Sequence, residues 1–144
     1  MIREAKQTDI PDLIPLAIEA LKSDSYPELK IDQSRVFTQI TACVVSRQHF
    51  CWVSEQDGEI VGGLGAIVAP QAVYEGNHAI IFGWYCRKPG DGLKLMKQFL
   101  NWVQEKKNVH SIEYSLPKKD RERISKVVKR LGFRTPVPAL CMLR

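Results

Sequence analysis

The spacing of apolar residues divides the chain into helical and extended segments. In the first third, apolar side chains recur every three or four residues, a period that predicts two amphipathic helices. Thr8 or Asp9 is predicted to cap the first helix, and Pro15 either kinks this helix or delays its start. The second helix is predicted over about Gln33 to Arg47, and a short strand over Ile2 to Ala5 precedes both helices.

The middle of the chain has the composition and the period of β-strands. Phe50 to Ser54 and Glu59 to Ala69 are predicted to form a hairpin, because Asp57-Gly58 supplies the positive φ angles of a tight turn. Three glycines in the returning strand indicate a bulge or a close backbone approach: Gly62, Gly63 and Gly65. After a loop, His78 to Cys86 is predicted to form a third, apolar strand.

The last third alternates between helices and strands. A broad apolar face predicts a helix over Leu93 to Val103, and a strand is predicted over His110 to Leu116. A further helix over Asp120 to Leu131 is predicted to end at Gly132, and Val137 to Leu143 is predicted to be the last strand. The order is therefore β-α-α-β-β-β-α-β-α-β, with antiparallel strands early and βαβ units late. This order predicts an α/β fold with a mixed sheet.

The composition fits one globular domain over residues 1–144, with 44% hydrophobic and 26% charged residues. No stretch approaches the roughly 20 apolar residues of a membrane span, and the first residues lack the apolar core of a signal peptide. The four cysteines are scattered without a C-x-x-C pair, so they indicate neither a metal site nor a redox dithiol. We therefore expect a cytoplasmic protein with buried free thiols, no metal and no membrane partner.

Positive charge is concentrated near the C-terminus. The net charge is +5, and residues 118–134 alone carry +6, from eight basic and two acidic side chains. The basic residues are Lys118, Lys119, Arg121, Arg123, Lys126, Lys129, Arg130 and Arg134. Such a segment attracts nucleic acid, an anionic substrate or an acidic partner, although a solvated helix face accounts for it equally well. Because Phe133 is its one aromatic residue, stacking on nucleic-acid bases is not favoured.

The most informative motif joins the third predicted strand to the helix that follows. Trp84 to Leu93 reads W-Y-C-R-K-P-G-D-G-L, in which Arg87, Gly90 and Gly92 form the pattern R-x-x-G-x-G. Glycines allow a ligand to approach the backbone closely, and the first amides of a helix have no intrahelical partners. The turn therefore predicts a phosphate or pyrophosphate site, with a plain strand-to-helix connection as the alternative.

Three features together resemble the GCN5-related N-acetyltransferase (GNAT) superfamily over nearly the whole chain. The first is the order of elements, and the second is the segment Arg87 to Gly92, which is similar to the family's acyl-CoA motif Q/R-x-x-G-x-G/A. The third is the ending Lys129 to Arg134, which is similar to the family's K-x-G-F. The resemblance implies a single-domain fold that binds acetyl-CoA. It implies that the backbone of Tyr85 and Cys86 bonds the pantetheine arm and that amides from Lys88 to Leu93 hold the pyrophosphate.

The residues thereby implied in cofactor binding are Trp84, Tyr85, Cys86, Arg87, Lys88, Pro89, Gly90, Asp91, Gly92 and Leu93. Either Arg87 or Lys88 adds charge directly, or both side chains are solvated. The family's central strand parts from its neighbour, which implies a slot for the thioester between Trp84–Cys86 and the strand of Tyr114.

The chain departs from the family pattern in two ways. The strand runs into the arginine with fewer intervening residues than usual, and Val128 replaces a tyrosine that protonates the leaving thiolate in many relatives.

Transfer to an amine requires a base, an oriented thioester and an acid, but no covalent nucleophile. His78 is the first candidate base and Glu75 its rival, and a surface side chain without a catalytic role is the alternative for each. Tyr114 is the candidate acid in place of Val128, or else a core aromatic residue. Cys86 is expected to be a buried structural thiol.

The resemblance thus implies an acetyl-CoA-dependent N-acetyltransferase that acts on a small-molecule or protein amine. One alternative is a protein that binds CoA with weak catalysis or none. A second alternative is a basic module that binds nucleic acid or an acidic partner through residues 118–134. Pairing of the last predicted strand at a sheet edge would produce a homodimer.

Overall fold

A computed structural model describes residues 1–24, 28–134 and 142 of the chain. The strands are β1 (Ile2–Glu4), β2 (Phe50–Gln56), β3 (Glu59–Pro70), β4 (Asn77–Cys86) and β5 (Val109–Tyr114). The helices are α1 (Ile10–Asp24), α2 (Gln33–Val45), α3 (Gly92–Gln104) and α4 (Arg121–Arg130). The predicted order is confirmed as far as α4. The predicted last strand over Val137 to Leu143 lies outside the described residues, apart from Met142.

The strands form one mixed sheet in the order β1-β2-β3-β4-β5. The first four strands are antiparallel neighbours, whereas β5 runs parallel to β4. The chain passes from β4 to β5 through α3, because parallel neighbours need a long crossover connection. The mixed α/β sheet expected from the order of elements is therefore confirmed.

The start of α1 differs from the prediction. Thr8 and Asp9 do not cap this helix, because both belong to a 3-10 turn that leads directly into it. The Asp9 carboxylate accepts a hydrogen bond from the Arg3 guanidinium at 2.7 Å instead. The prediction that Pro15 delays the start of the helix is also wrong, because α1 begins at Ile10 and includes Pro15. Packing of apolar residues such as Leu13, which is 6% exposed, offsets the hydrogen bond that the proline removes.

Each face of the sheet carries its own apolar cluster, as the period-two alternation of strands requires. The α1/α2 face packs against α1 and α2, with a core that includes Leu13, Leu16, Ile40, Cys43 and Val53. The α3/α4 face packs against α3 and the end of α4, with a core that includes Phe50, Leu64, Leu95, Met96 and Phe99. Side chains of β4 and β5 therefore reach one of two separate environments.

Two predicted irregularities of the sheet are present. Asp57 and Gly58 have φ angles of 53° and 79°, which confirms the tight turn between β2 and β3. The pairing of β3 with β4 shifts register after Gly65, and Phe82 is the extra residue on β4. A Cβ at Gly65 would lie 2.6 Å from the Phe82 ring, so only glycine leaves space for this ring. The bulge therefore places Phe82 on the α1/α2 face.

Candidate functional site

The pairing of β4 with β5 ends part-way along β4. The last paired residues are Ile81 and Tyr114, whereas β4 continues to Cys86 in pairing with β3 alone. Among the described residues, one edge of Phe82 to Cys86 therefore has no neighbouring strand. The backbone N–H and C=O groups of such an edge are available to a ligand that lies along the strand.

One hydrogen bond shows which backbone groups of β4 face this edge. The Arg87 amide donates to the Val61 carbonyl at 2.8 Å, so these two residues form a hydrogen-bonded pair of the antiparallel ladder. Because hydrogen-bonded pairs alternate with non-bonded pairs, the backbone groups of Tyr85 also point towards β3. Those of Trp84 and Cys86 point to the unpaired edge. These two residues, and not Tyr85, present backbone polar groups to a ligand there.

The turn between β4 and α3 presents a series of free amides. Gly90 has a φ of +124°, and nothing lies within 4 Å of the position that its Cβ would occupy. The first amide of α3 to find an acceptor is that of Leu95, which donates to the Asp91 carbonyl at 2.9 Å. In the part of the chain that the structure describes, the amides of Lys88 and of residues 90–94 have no acceptor. Because they lie at the positive end of the α3 dipole, they form a cradle suited to an anion.

Two hydrogen bonds fix the beginning of α3. The Trp84 indole donates to the Gly92 carbonyl at 2.9 Å, and the Ser54 hydroxyl donates to the Asp91 carboxylate at 2.7 Å. Asp91 is only 5% exposed, and the bonds from Ser54 and from the Met1 ammonium lower the pKa of its carboxyl to about 2. The carboxylate is thereby held against β2, and the amide cradle is anchored to the sheet from β2 and from β4.

Ser54 is a residue of the site that the sequence analysis missed. It lies on the α3/α4 face of β2, two residues beyond Trp52, and it is fully buried. A serine at an inward position of an otherwise apolar strand is the signal that identifies such a residue, because buried hydroxyl groups need a partner.

The Arg87 guanidinium pairs with α1 and is not free for the turn. Its Nε donates to the Glu19 carboxylate at 2.7 Å, and this bond holds the pKa of Glu19 below its usual range. Burial, and after it a hydrogen bond to Glu19, raises the pKa of Tyr85. Of the two side chains considered for direct contact with a phosphate, Arg87 is therefore engaged within the protein. Lys88 is exposed and makes no ion pair with any described residue.

The candidate base His78 and the candidate acid Tyr114 lie on opposite faces of the sheet. The Tyr114 ring is on the α3/α4 face, with its centroid 5.7 Å from that of Trp84 and 6.5 Å from that of Phe133. His78 alternates with the β4 residues of that cluster and so lies on the α1/α2 face. Its Nδ1 is 3.0 Å from a carboxylate oxygen of Glu113. The structure therefore does not bring the two candidates together on one side.

Glu75 and Val128 are the two other positions that the sequence analysis considered for proton transfer. Glu75 is exposed in the loop between β3 and β4, and it has no ion pair among the described residues. Val128 is 4% exposed on the inner side of α4. A buried apolar side chain thus occupies the position at which the resemblance implies a tyrosine.

The described cysteines are expected to be unreactive in the folded protein. Burial raises the pKa of the Cys43 and Cys51 thiols to about 12 and that of Cys86 to about 11. The thiolate is the reactive form, and a rise from 9 to about 11 lowers its fraction at neutral pH by about 100-fold. Peptide mapping after iodoacetamide treatment should therefore find these thiols unmodified in native protein and modified in guanidinium. Rapid alkylation of native Cys86 would contradict the prediction.

The basic segment lies along α4 and is largely exposed. Arg123 pairs with Asp120 at 3.2 Å, whereas the basic side chains at Lys126 and Arg130 have no ion pair with a described residue. A surface depression of about 700 Å³ runs beside the helix, lined by Lys118, Asp120, Arg121, Glu122, Arg123, Lys126, Val127 and Arg130. The end of α4 lies on the α3/α4 side of the sheet, because Leu131 and Phe133 pack against the cluster of that face.

Neither a membrane span nor a metal site is found among the described residues. None of their helices is long and apolar enough to cross a bilayer. They also include no group of three or more His, Cys, Asp or Glu side chains that is placed to hold a metal ion.

Comparison with protein families identifies a match that covers most of the chain. The model of the acetyltransferase (GNAT) family matches residues 15–133, which is more than half of the chain. Comparison with curated protein sequences gives no match.

Solved structures with similar folds include several acetyltransferases. A predicted acetyltransferase from Clostridium acetobutylicum, crystallised with acetyl-CoA, has a TM-score of 0.79 and 18% identity, over 99% of this chain and 95% of that one. A ribosomal-protein-alanine N-acetyltransferase from Brucella melitensis has a TM-score of 0.74 and 13% identity, over 100% of this chain and 97% of that one. A transcriptional regulator from Bacillus halodurans has a TM-score of 0.72 and 24% identity, over 100% of this chain and 99% of that one. At these identities the similarity demonstrates a shared fold.

Proposed function

This chain belongs to the acetyltransferase (GNAT) family, and we propose that it transfers an acetyl group from acetyl-CoA directly to a primary amine. One observation carries the proposal: the edge of β4 that is unpaired among the described residues is followed, after Arg87, by the free amides before α3. Acetyl-CoA supplies an acetyl thioester on a long arm of amide groups that ends in a pyrophosphate. A strand edge followed by an anion cradle offers partners for both parts in the same order.

The residues of the site fit this donor. The backbone groups of Trp84 and Cys86 are directed to the unpaired edge, where they would bond the amides of the arm. The open space at Gly90 admits a pyrophosphate to the amides of the turn, and Lys88 is exposed beside them. The fold similarity to an acetyltransferase crystallised with acetyl-CoA supports the assignment.

A direct transfer suits the side chains of the site better than a covalent enzyme intermediate. The Cys86 thiol has its pKa raised to about 11 by burial, so it is protonated at neutral pH and a poor nucleophile. We assign Tyr114 as the acid that protonates the departing sulfur, because it lies where β4 and β5 part and contacts the Trp84 ring. Tyr114 would thus supply the proton that the apolar Val128 on α4 cannot donate.

The second candidate function is CoA binding with weak catalysis or none. The buried Val128 favours it, because an apolar side chain at this position cannot donate a proton. Both functions use the same donor site and differ only in the fate of the acetyl group. The exposed cations of α4 support a third candidate function, the binding of nucleic acid or an acidic partner.

The test is an assay of acetyl-CoA with a panel of primary amines, read by thiol release and by mass spectrometry of the acetylated amine. We expect product formation, and we expect Tyr114→Phe to lower kcat by about 10-fold with little change in the KM for acetyl-CoA. Tyr74→Phe is the matched control, because Tyr74 is 75% exposed in a loop and should have no effect.

Two other results would contradict the proposed acetyl transfer. Binding of acetyl-CoA without product from any amine would establish the non-catalytic alternative. A folded protein with no affinity for acetyl-CoA would contradict both candidate functions.

A further inference from the structure

Helix α4 carries most of the positive charge of the chain on its exposed face. The net charge is +5 for the whole chain and +6 for residues 118–134, so all other residues together carry −1. The exposed face consists of five cations and one acid: Arg121, Glu122, Arg123, Lys126, Lys129 and Arg130. We propose that this face binds double-stranded DNA by lying along its major groove. The inference rests on the third candidate function, for which it selects one partner, and it is independent of the proposed acetyl transfer.

The packing of α4 directs these cations to solvent. Val128 is 4% exposed, Ile124 is half-buried, and Leu131 after the helix packs against the cluster of the α3/α4 face. These apolar residues recur at the spacing of one helix face, and the cations take the positions between them. The fold therefore holds α4 with its charged face outward, and a rigid partner can reach that face without any rearrangement of the core.

Few of the cations on this face are neutralised by the protein. Arg123 pairs with Asp120 at 3.2 Å, but the two side chains are 75% and 49% exposed, so the pair contributes little and can exchange for a phosphate. Among the described residues, Lys126, Lys129 and Arg130 have no ion pair. Cations of this kind bind a polyanion by releasing its condensed counterions, which is the main source of sequence-independent affinity for nucleic acid.

The cations lie on both flanks of the exposed face. Because a helix has about 3.6 residues per turn, Arg123 and Lys129 are about 120° apart around the α4 axis, with Lys126 midway between them. A helix with its side chains is about 10–12 Å across, and the major groove of B-form DNA is about 12 Å wide. A helix in this groove therefore directs Arg123 and Lys129 to the phosphates of opposite strands.

The surface lacks the groups that other anionic partners need. A single strand binds by stacking its bases on aromatic side chains. Phe133 is the one aromatic residue of residues 118–134, and its ring packs in the core with its centroid 6.5 Å from that of Tyr114. An acidic protein needs apolar or aromatic anchors at the centre of its interface. Among the described residues that line the depression beside α4, Val127 alone is apolar. A duplex backbone is therefore the partner that this face fits best.

The salt dependence of DNA binding tests the proposal. We expect a fluorescently labelled DNA duplex of about 20 base pairs to bind with a slope of log K against log salt of about −3.6, for about four phosphate contacts. Between about 50 and 200 mM salt the affinity should then fall by about 100-fold. The double variant Lys126→Gln/Arg130→Gln should halve this slope and weaken binding at about 100 mM salt by more than about 10-fold.

The double variant Lys22→Gln/Lys30→Gln is the control of matched charge. Both lysines are exposed, and they lie at and after the end of α1. This variant should keep the slope of the wild type. Both double variants should unfold at the Tm of the wild type, because substitutions at exposed positions change stability little. A slope near zero, or equal slopes for the two variants, would overturn the assignment of α4.

Competition distinguishes DNA from other polyanions. Unlabelled duplex DNA should displace the probe at least about 10-fold better than duplex RNA, because the deep, narrow major groove of A-form RNA does not admit a helix. It should also displace the probe better than oligo-dT or polyglutamate of equal charge. Equal or better displacement by any of these three competitors would overturn the proposal of a DNA groove.

The outcome for acetyl transfer is separate. Calorimetry of the wild type with acetyl-CoA tests the donor site and does not involve DNA. A protein that binds acetyl-CoA but no DNA would overturn only this inference. A protein that binds DNA but no acetyl-CoA would support this inference and contradict the proposed acetyl transfer.

Discussion

Replacement of Gly90 with tyrosine is expected to abolish acetyl-CoA binding while the protein remains folded. The Cβ position of Gly90 faces open space beside the free amides, so a large side chain there occupies the volume that a pyrophosphate needs. We expect Kd to rise by more than about 100-fold, which corresponds to about 2.7 kcal/mol. Acetyl-CoA at 100 times its Kd should stabilise the wild type by about this amount and raise Tm by roughly 8 °C. The variant should show no such rise.

Gly58→Tyr is the matched control for Gly90→Tyr. Gly58 also has a positive φ, +79°, with nothing within 4 Å of its Cβ position, but it lies in the turn between β2 and β3. A side chain in this region of φ strains the backbone at both positions, so both variants should lose about 1 to 2 kcal/mol of stability. Only Gly90→Tyr should lose the ligand. Equal acetyl-CoA affinity in the two variants would contradict the assignment of the cradle.

Loss of the Asp91 carboxylate is expected to be the most destabilising single change at the site. Asp91→Ala leaves the buried Ser54 hydroxyl without its acceptor and releases the beginning of α3 from β2. We expect the free energy of unfolding to fall by about 3 kcal/mol and Tm by roughly 8 °C. Asp12→Ala, at an exposed position in the first turn of α1, should cost less than about 1 kcal/mol.

A double-mutant cycle separates this pair from the rest of the site. Ser54→Ala and Asp91→Ala should be strongly non-additive, because each removes the same hydrogen bond. Additive effects would mean that the 2.7 Å contact contributes little to stability. The affinity for acetyl-CoA should fall along with stability, since the free amides belong to the turn that this pair anchors.

The same carboxylate produces an acid-dependent loss of stability. Its pKa is lowered from 3.8 to about 2, chiefly by the Ser54 hydrogen bond, so the folded state favours the charged form. The stabilisation is therefore complete above about pH 4 and is lost as the pH falls through 2. Denaturant titrations across this range should show a steeper decline for the wild type than for Asp91→Asn. Parallel declines would exclude Asp91 as the source.

Most secondary structure could be predicted from local patterns. Periods of 3.6 and 2 residues identified α3 and the hairpin of β2 and β3, because burial against one sheet face selects residues at those spacings. Gly90 and Gly132 were identifiable for a similar reason, since their φ angles of +124° and +105° favour a residue without a Cβ. The start of α1 was less predictable. There Asp9 lies inside a 3-10 turn, and its carboxylate accepts hydrogen bonds from both the Lys6 amide and the Arg3 guanidinium.

The sequence by itself therefore determined the order of elements, the mixed sheet and the glycine turn, because each depends on short-range spacing and on backbone conformation. Only the tertiary structure decided that Ser54 meets Asp91, that Glu19 takes Arg87 from the turn, and that His78 pairs with Glu113. These partners are 35 to 68 residues apart in the chain. Their contacts arise from strand register and from the packing of α1 on the sheet, and neither follows from the residues next to them.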